Sequence, residues 1–334
     1  MRHRGYPIHP PWRFCFLRDY YHTNLTLFTS PHEIFSMHTI HDMLLSSKES
    51  IDIYDATLLV AHVIQKSREF VLTYPEHTLT QEQSDTVTQL IARRALHEPL
   101  SYLTGHKEFF GRAFEVTKHT LIPRPETELM VEEIIMCTQK NINEKKSQYI
   151  FDIGTGSGNI ITSLAKELSP LHLHDTSLSF FGVDISSQAL SVAEKNADTH
   201  DVKKEITFIQ SDLFENIPTS ITQKNINTFI IAANLPYLST DVYESSMDDV
   251  KKFEPKSALF SEENGLQHYR KLLLQLKNIF NQNNIQNIQL FFEISPEQKD
   301  EIEHIVRTIF PQANIETLQD LAGQWRLTKA SIEQ

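Results

Sequence analysis

The sequence predicts an α/β protein with a doubly wound, mostly parallel sheet that has one antiparallel edge strand, preceded by a small all-α helical domain. Three observations indicate this fold class. Apolar runs of strand length alternate with helical patterns from about residue 148, and a glycine-rich loop follows the first of these runs. Two further strand patterns close the chain around Ala322-Gly323, as expected for a final hairpin.

The composition limits the classes of function. The 334 residues are enough for two domains, and no apolar run approaches the roughly 18 residues of a membrane span. A formal net charge of −12 disfavours binding to a nucleic-acid backbone, so we expect a protein or small-molecule partner. Cys15 and Cys137 suggest neither a disulfide framework nor a metal cluster. We therefore expect a cytoplasmic protein, monomeric and without a bound metal.

Changes of pattern divide the chain into four parts. Residues 1–36 contain four arginines without helical periodicity, and we interpret them as an extension that is disordered or precedes the true start. Residues 37–100 carry helical apolar stripes and the capping box Thr80-x-x-Gln83, which predict a helical domain, either a bundle that packs on itself or also a recognition module. Residues 101–128 form a linker, and residues 129–330 the main domain.

The linker combines a hairpin pattern at residues 102–111 with the run Leu121-Ile122-Pro123-Arg124-Pro125-Glu126-Thr127-Glu128. Its two prolines fix an extended backbone, and Thr127 is placed to cap the helix that follows. Arg124 and Glu126 are either an exposed ion pair or part of a site. Their rigid setting favours the site.

The glycine loop consists of Gly154, Thr155, Gly156, Ser157 and Gly158, between a strand at 148–153 and a helix from residue 159. Glycines let the backbone turn sharply and approach a ligand, which then faces the unpaired N–H groups of the helix N-terminus. The loop lacks the Lys-Ser/Thr pair of a phosphate-binding P-loop. Alone it indicates an adenosine-containing cofactor of unspecified type.

Acidic residues end the next two strands. Asp184 follows the apolar residues 179–183, where a carboxylate can bind both ribose hydroxyls. Asp212 follows the strand at 206–209 and is placed either to accept from an adenine amino group or to cap a helix, while Leu213 can pack on the ring. These residues extend the predicted cofactor site.

The fourth apolar run, 229–232, leads into Asn234, Leu235, Pro236 and Tyr237. A polar amide at the end of a buried strand, followed by a proline-stiffened turn and an aromatic ring, is a site candidate because ligands bind at the carboxyl ends of parallel strands. The remaining patterns predict helices at 187–197, 264–280 and 297–309, and strands at 288–292, 313–319 and 325–329.

Taken together, these residues resemble the Rossmann-like class I methyltransferases that use S-adenosylmethionine and methylate planar amino nitrogens. More narrowly, the chain is similar to the release-factor glutamine methyltransferases over about residues 37–330. The matching runs are Glu98-Pro99-Leu100-Ser101-Tyr102-Leu103-Thr104-Gly105, Lys107-Glu108-Phe109-Phe110-Gly111, Ile122-Pro123-Arg124-Pro125-Glu126-Thr127-Glu128, Phe253-Glu254-Pro255, Asn264-Gly265-Leu266 and Asp320-Leu321-Ala322-Gly323.

The resemblance implies a role for each predicted site. The loop 154–158, Asp184, Asp212, Leu213 and Asn234 would bind S-adenosylmethionine. The substrate would be the glutamine in the Gly-Gly-Gln motif of class 1 peptide chain release factors, bound by residues 234–237 with Arg124 and Glu126. Residues 234–237 would also be catalytic, because acceptors such as the Asn234 side chain and the Leu235 carbonyl orient an otherwise poorly nucleophilic amide nitrogen. The helical domain would help to grip the factor.

One position departs from this pattern, since the family usually has proline where this chain has Leu235. The Asn-Leu-Pro-Tyr run also resembles the motif of ribosomal RNA adenine dimethyltransferases, although the acidic charge and the Pro-Arg-Pro-Glu run argue against an RNA substrate. A non-catalytic scaffold that binds the cofactor and, more weakly, an NAD-dependent dehydrogenase are the remaining alternatives.

Overall fold

The structure, a computed structural model, describes residues 38–171, 177–222, 226–245, 247–283 and 285–334. The prediction for residues 1–36 therefore lies outside the described residues. The predicted boundaries at 100/101 and 128/129 stay predictions. None of the helices in the described ranges is long and apolar enough to cross a membrane.

The N-terminal part of the described chain is helical. Its helices are α1 (Ile40–Ser47), α2 (Ile53–Ile64), α3 (Arg68–Thr73), α4 (Gln81–Ala95) and α5 (Leu100–Thr104). The predicted capping box at Thr80 and Gln83 starts α4, and a second one, Thr39 with Asp42, starts α1. The apolar stripes of these helices pack on one another and form a core of their own. The bundle expected from the periodicity is confirmed.

The hairpin predicted at residues 102–111 is wrong in its first part. Residues 102–104 belong to α5, because Leu103 is buried in the helical core and Gly105, with φ +77°, ends the helix. The hairpin itself consists of β1 (His106–Phe109) and β2 (Arg112–Glu115), which pair antiparallel. Gly105 thus marks the boundary between α5 and the hairpin, which the turn-rich composition of residues 102–111 does not reveal.

The rest of the described chain alternates strands and helices. In order, the elements are α6 (Glu128–Asn143), β3 (Gln148–Ile153), α7 (Asn159–Leu168), β4 (Leu178–Asp184), α8 (Ser187–Thr199), β5 (Ile206–Gln210), α9 (Thr219–Thr222), β6 (Thr228–Ala233), α10 (Thr240–Ser245), α11 (Asp248–Phe253), α12 (Glu262–Gly265), α13 (Gln267–Gln282), β7 (Asn287–Glu293), α14 (Lys299–Ile309), β8 (Asn314–Gln319) and β9 (Trp325–Glu333).

The seven strands β3 to β9 form one sheet in the order β5-β4-β3-β6-β7-β9-β8. Neighbours from β5 to β7 are parallel, and β9 pairs antiparallel with both β7 and β8. This arrangement is the Rossmann-like fold of class I methyltransferases, so the predicted fold class is confirmed. The reversed strand, however, lies one position inside the edge, because the closing hairpin folds β8 around the outside of β9.

Both faces of the sheet are covered, as the continuous apolar character of the parallel strands indicates. Alternate residues of β3 point to opposite faces: Phe151 and Ile153 pack in the core formed with α13 and α14, whereas Ile150 packs in the core formed with α6 and α7. All six residues of β3 are buried. Because β3 to β7 run parallel to one another, their carboxyl ends meet at one edge of the sheet.

Candidate active site

A cavity of about 280 Å³, just below the usual range for ligand pockets, lies at the carboxyl ends of the parallel strands. Most of the residues predicted from the sequence meet at its wall: Arg124, Gly154, Thr155, Gly156, Ser157, Asp184, Asp212, Leu213, Asn234, Leu235 and Pro236. They come from the linker, from the last residue of β4 and from the loops that follow β3, β5 and β6. Residues up to 112 positions apart, Arg124 and Pro236, thus form one site.

Three predicted residues do not line the cavity. Gly158 is buried with φ +75°, and a Cβ there would come within 2.9 Å of the Ala193 Cβ, so this glycine serves the close packing of α7 on α8. Glu126 is exposed. Tyr237 is partly buried, and its hydroxyl donates to Glu293 Oε1 at 3.3 Å. Burial raises the pKa of Tyr237, so the hydroxyl stays protonated.

Backbone hydrogen bonds hold the glycine loop against the end of β4. The N–H groups of Gly154 and Thr155 both donate to the Val183 carbonyl, at 2.8 and 2.9 Å. The Thr155 hydroxyl donates to Asp152 Oδ2 at 2.6 Å. Asp152 is fully buried, and this burial raises the pKa of its carboxyl group to about 7. The loop is fixed before any ligand binds.

The carboxylate of Asp184 is held by backbone donors at the same edge. Its Oδ2 accepts from the Gly156 N–H and its Oδ1 from the Ser186 N–H, both at 2.9 Å. Burial raises the pKa of Asp184, and the backbone hydrogen bonds partly oppose this rise. Each carboxylate oxygen has more than one acceptor position, so Asp184 can also accept from ligand hydroxyl groups.

The residues after β5 form another part of the wall. Asp212 Oδ2 accepts from Lys271 Nζ at 2.5 Å, and Leu213 is buried with φ +55°. His268 of α13 lines the same cavity, and burial lowers the pKa of its imidazole. A carboxylate, an apolar side chain and a neutral ring suit a heterocyclic base with a polar edge.

Asn234 presents an unusual acceptor. Its Oδ1 is buried and has no hydrogen-bond partner among the described residues, whereas its Nδ2 donates to Thr127 Oγ1 at 3.2 Å. The Thr127 hydroxyl donates in turn to Glu293 Oε2 at 2.6 Å. The prediction that Thr127 caps the following helix is therefore wrong: the residue stands at the start of α6, but its side chain makes no capping bond.

Leu235, the residue that departs from the family pattern, is buried beside the glycine loop. Its backbone N–H donates to the Tyr269 hydroxyl at 3.3 Å. Its Cδ2 lies 3.1 Å from the position that a Cβ on Gly154 would take. The leucine side chain thus fills the space that the glycine leaves, and a larger residue at position 154 would collide with it.

Arg124 forms its ion pair with Glu254 rather than with Glu126, at 2.5 Å between Nη2 and Oε1. The other Glu254 oxygen accepts from the Ile122 N–H at 3.2 Å, and the carboxylate is almost completely buried. Because the partner lies far along the chain, the exposed-pair alternative for Arg124 and Glu126 is wrong. The pair fixes the linker against the segment that follows Tyr237.

Sequence reasoning assigned no role to four residues that support the site: Asp152, Glu254, Tyr269 and Glu293. A signal was present for three of them. Glu254 lies in the run Phe253-Glu254-Pro255 quoted for the resemblance, and Asp152 and Glu293 interrupt apolar strands close to their carboxyl ends, where ligands bind. Tyr269 is fully buried and donates to the Glu293 carbonyl at 2.5 Å. Nothing in the spacing of its helix distinguishes it from an ordinary core tyrosine.

Comparison with known proteins gives two family matches. The family described as "PrmC N-terminal domain" matches residues 40–105, and the one described as "Methyltransferase domain" matches residues 144–306. Among curated proteins, the release factor glutamine methyltransferase of Bacillus anthracis is 32% identical over 276 residues, which cover 83% of this chain and 91% of that protein. The Aliivibrio fischeri protein of the same name is 32% identical over 297 residues, covering 87% and 93%.

Proposed function

Because this chain belongs to the family of release factor glutamine methyltransferases, we propose that it uses S-adenosylmethionine to methylate the glutamine side-chain amide in the Gly-Gly-Gln motif of class 1 peptide chain release factors. The observation that carries this proposal is the buried Oδ1 of Asn234, a residue of the cavity wall; this oxygen has no partner among the described residues. An unpartnered buried acceptor is costly, and a donor from a bound ligand would satisfy it.

The residues of the cavity fit the cofactor. Gly154 to Ser157 would lie along its methionine portion, Asp184 would accept from its ribose hydroxyls, and Asp212 with Leu213 would hold its adenine. When bound, the cofactor supplies a methyl group on a sulfonium, which is already activated for transfer. Asp184 lines the cavity, and a positive charge bound there would favour its ionised form.

The chain's own residues act on the target nitrogen. An amide nitrogen is a weak nucleophile because its lone pair is delocalised into the carbonyl group. Asn234 Oδ1 and the Leu235 carbonyl oxygen accept from its two N–H groups, which places the nitrogen in line for transfer and favours a pyramidal geometry. Pro236 biases Leu235 toward an extended backbone and so helps to aim that carbonyl. The proton that the nitrogen loses after transfer passes to water.

The tyrosine and the linker complete the substrate site. Tyr237 does not line the cavity but follows Pro236, which does; held by its hydroxyl on Glu293, its ring would pack against the plane of the target amide. Arg124 at the cavity wall and the exposed Glu126 would contact the backbone of the Gly-Gly-Gln loop. The helical part of the chain grips the body of the factor, and exposed apolar side chains such as Leu72 and Leu96 are available there. A release factor substrate places the reaction in the cytoplasm.

The direct test is transfer of label from labelled S-adenosylmethionine to one of three acceptors: a class 1 release factor, the same factor with the motif glutamine changed to alanine, and bare ribosomal RNA. We expect label on the unmodified factor alone. Label on the RNA, or equal label on the altered factor, contradicts the proposal and favours an adenine-directed enzyme or another target residue.

A variant pair tests the assigned acceptor. Asn234→Ala should lower kcat by at least about 100-fold, the scale for loss of one preorganised hydrogen-bonding group, while the cofactor Kd changes by no more than a few fold. Asn216→Ala, at an exposed position outside the cavity wall, is the matched control and should keep full activity. Activity that survives Asn234→Ala shows that another group orients the amide.

A further inference from the structure

The orientation of the Asn234 side-chain amide depends on one hydroxyl group. Asn234 Nδ2 and Thr127 Oγ1 are 3.2 Å apart; Asn234 directly follows β6, and Thr127 stands at the N-terminus of α6. An amide offers donors on one end and an acceptor on the other, and a hydroxyl can serve either end. What Thr127 does with its single proton therefore decides which end of the Asn234 amide is bonded to Thr127 and which end is left for another partner.

Glu293 takes that proton. Thr127 Oγ1 donates to Glu293 Oε2 at 2.6 Å, and both side chains are buried, with 2% of each residue exposed. With its hydrogen committed to the carboxylate, Thr127 can only accept from Asn234. The NH₂ end of Asn234 must then face Thr127, and Oδ1 points away from it.

The register of the sheet creates this contact. Strands β6 and β7 pair in parallel, with Ala233 opposite Phe292. The residues that follow this pair, Asn234 and Glu293, therefore lie side by side at the edge of the sheet. Thr127 follows the two prolines of the linker and enters α6 above the same edge. Three segments separated by more than 50 residues thus supply one chain of hydrogen bonds.

Hydrogen bonds and a nearby cation partly oppose the effect of burial on the Glu293 carboxyl group. Burial raises the pKa of Glu293, and Glu126 adds to the rise; the Thr127 hydrogen bond, the Arg326 guanidinium on β9 and the Tyr237 hydroxyl lower it. Tyr237 donates to Oε1 at 3.3 Å, and Tyr269 donates to the backbone carbonyl of the same residue at 2.5 Å. The carboxylate is therefore held from several sides and acts as a fixed acceptor.

We propose that Glu293 is a positioning residue, which acts through the Thr127 hydroxyl to keep the Asn234 amide oxygen directed at the target nitrogen. This inference rests on the proposed role of Asn234 as the acceptor. Glu293 itself need not touch the substrate. Its function is to set the direction of the hydrogen bonds in this buried chain. If the Asn234 amide were reversed, its NH₂ group would face the N–H groups of the target, and two donors cannot form a hydrogen bond with each other.

Glu293→Gln tests the direction of the chain at constant shape. A glutamine amide can donate to Thr127, which frees the threonine proton for Asn234 and leaves both amide orientations accessible. We expect kcat to fall by about 10- to 100-fold, while KM for the release factor and the cofactor Kd change by less than about three-fold. Glu297→Gln, four residues away and exposed, is the matched control and should behave as wild type.

The threonine variants separate positioning from packing. Thr127→Val keeps the shape but removes the hydroxyl, and should lose as much kcat as Glu293→Gln; Thr127→Ser restores the hydroxyl and should recover most of it. The double variant Glu293→Gln with Thr127→Val should be no worse than either single one, since both break the same chain. Full kcat in folded Glu293→Gln, or no recovery in Thr127→Ser, overturns the proposal.

A second measurement is independent of activity. In protein labelled with ¹⁵N at asparagine, the Asn234 side-chain NH₂ signals are identified by their absence in Asn234→Ala. We expect these signals to shift and to exchange faster with solvent in Thr127→Val and Glu293→Gln but not in Glu297→Gln. Unchanged Asn234 NH₂ signals in both Thr127→Val and Glu293→Gln overturn the proposal. If the wild type methylates no release factor, the proposed function fails, and this measurement still decides on the hydrogen-bond chain.

Discussion

The guanidinium of Arg124 lies 2.5 Å from the carboxylate of Glu254, 130 positions further along the chain. This pair joins the proline-containing linker to the segment between Tyr237 and α12. Both segments supply residues to the wall of the cavity, Pro123 and Arg124 from one and Pro255 and Ala258 from the other. The geometry of the substrate side of the site therefore depends on an ion pair that is buried at one end.

Removing the two partners should have unequal effects on stability. Arg124→Ala leaves the buried Glu254 carboxylate with only the Ile122 N–H and should lower the free energy of unfolding by about 2–4 kcal/mol. Glu254→Ala should cost less, about 1–2 kcal/mol, because the Arg124 side chain is one-third exposed and water can solvate it. Urea unfolding measures both values.

Lys203→Ala is the control for this comparison, since it breaks an exposed pair with Glu194 and should change stability by less than about 1 kcal/mol. Equal losses for Arg124→Ala and Glu254→Ala would contradict the unequal burial on which the prediction depends.

Gly265→Ala should disturb the Tyr237 loop. A Cβ at this position would lie 1.9 Å from the Tyr237 carbonyl oxygen and 2.5 Å from Gln298 Nε2, which donates to that same oxygen at 2.8 Å. We expect a loss of at least about 3 kcal/mol in unfolding free energy, together with a fall in kcat. Thermal or urea unfolding and initial-rate measurements on the same preparation check both effects.

Gly323→Ala provides a matched control for the backbone effect. Gly323 also has a positive φ, +74°, but a Cβ there would meet nothing within 4 Å. Its substitution should therefore cost only the strain of an L-residue in this region, about 1–2 kcal/mol, and leave activity unchanged. If both alanine variants lose the same free energy of unfolding, the close approach of the position-265 Cβ to the Tyr237 carbonyl oxygen does not contribute to the loss.

The sequence predicted the sheet, the glycine loop and most of the cavity wall, because these depend on local patterns. The carboxyl ends of parallel strands meet at one edge of the sheet regardless of the loops that connect them. Asp184, Leu213 and Asn234 were therefore identified as site residues from their position after a strand alone. The fold class followed for the same reason.

Partners at long range could not be predicted in this way. Arg124 was considered with its neighbour Glu126, yet it pairs with Glu254; Thr127 was expected to cap a helix, yet its hydroxyl binds Glu293. Each choice depends on which buried carboxylate lies within reach after folding, and local spacing carries no information about that. A glutamate at the end of an apolar strand was the available signal.

The buried Asp152 should make stability depend on pH. Its carboxyl pKa is raised from 3.8 to about 7 in the folded protein. Below about pH 4 both states are protonated. Between about pH 4 and 7 the unfolded chain loses the proton and the folded chain keeps it, so this group's contribution to stability falls as pH rises, and above about pH 7 it is constant.

Asp152→Asn removes this linkage while an amide oxygen can still accept from Thr155. The unfolding free energy of the variant relative to wild type should therefore increase between pH 4 and 7, by at most about 4 kcal/mol. Asp300→Asn, at a side chain 98% exposed, should show no such trend. Chemical unfolding across this pH range is the measurement, and a difference that is independent of pH would show that the Asp152 carboxyl titrates normally.

Leu235→Pro restores the residue that the family usually has and tests what this chain requires at position 235. The substitution removes a backbone donor whose hydrogen bond to the Tyr269 hydroxyl is long, 3.3 Å, so we expect a loss of no more than about 1 kcal/mol from that bond. The backbone carbonyl, the group proposed to accept from the substrate, is retained. Initial rates with a release factor should therefore stay within about five-fold of wild type, against the 100-fold loss expected for Asn234→Ala.

Leu235→Pro also removes the leucine side chain that packs beside Gly154. Leu235→Ala separates the two losses, because it removes that side chain but keeps the N–H. It should lower stability by about 2–5 kcal/mol through the cavity it leaves, with kcat preserved in the folded fraction. If Leu235→Pro instead loses as much activity as Asn234→Ala, the leucine side chain or its N–H takes part in the reaction. The backbone carbonyl alone would then not explain what residue 235 does in the reaction.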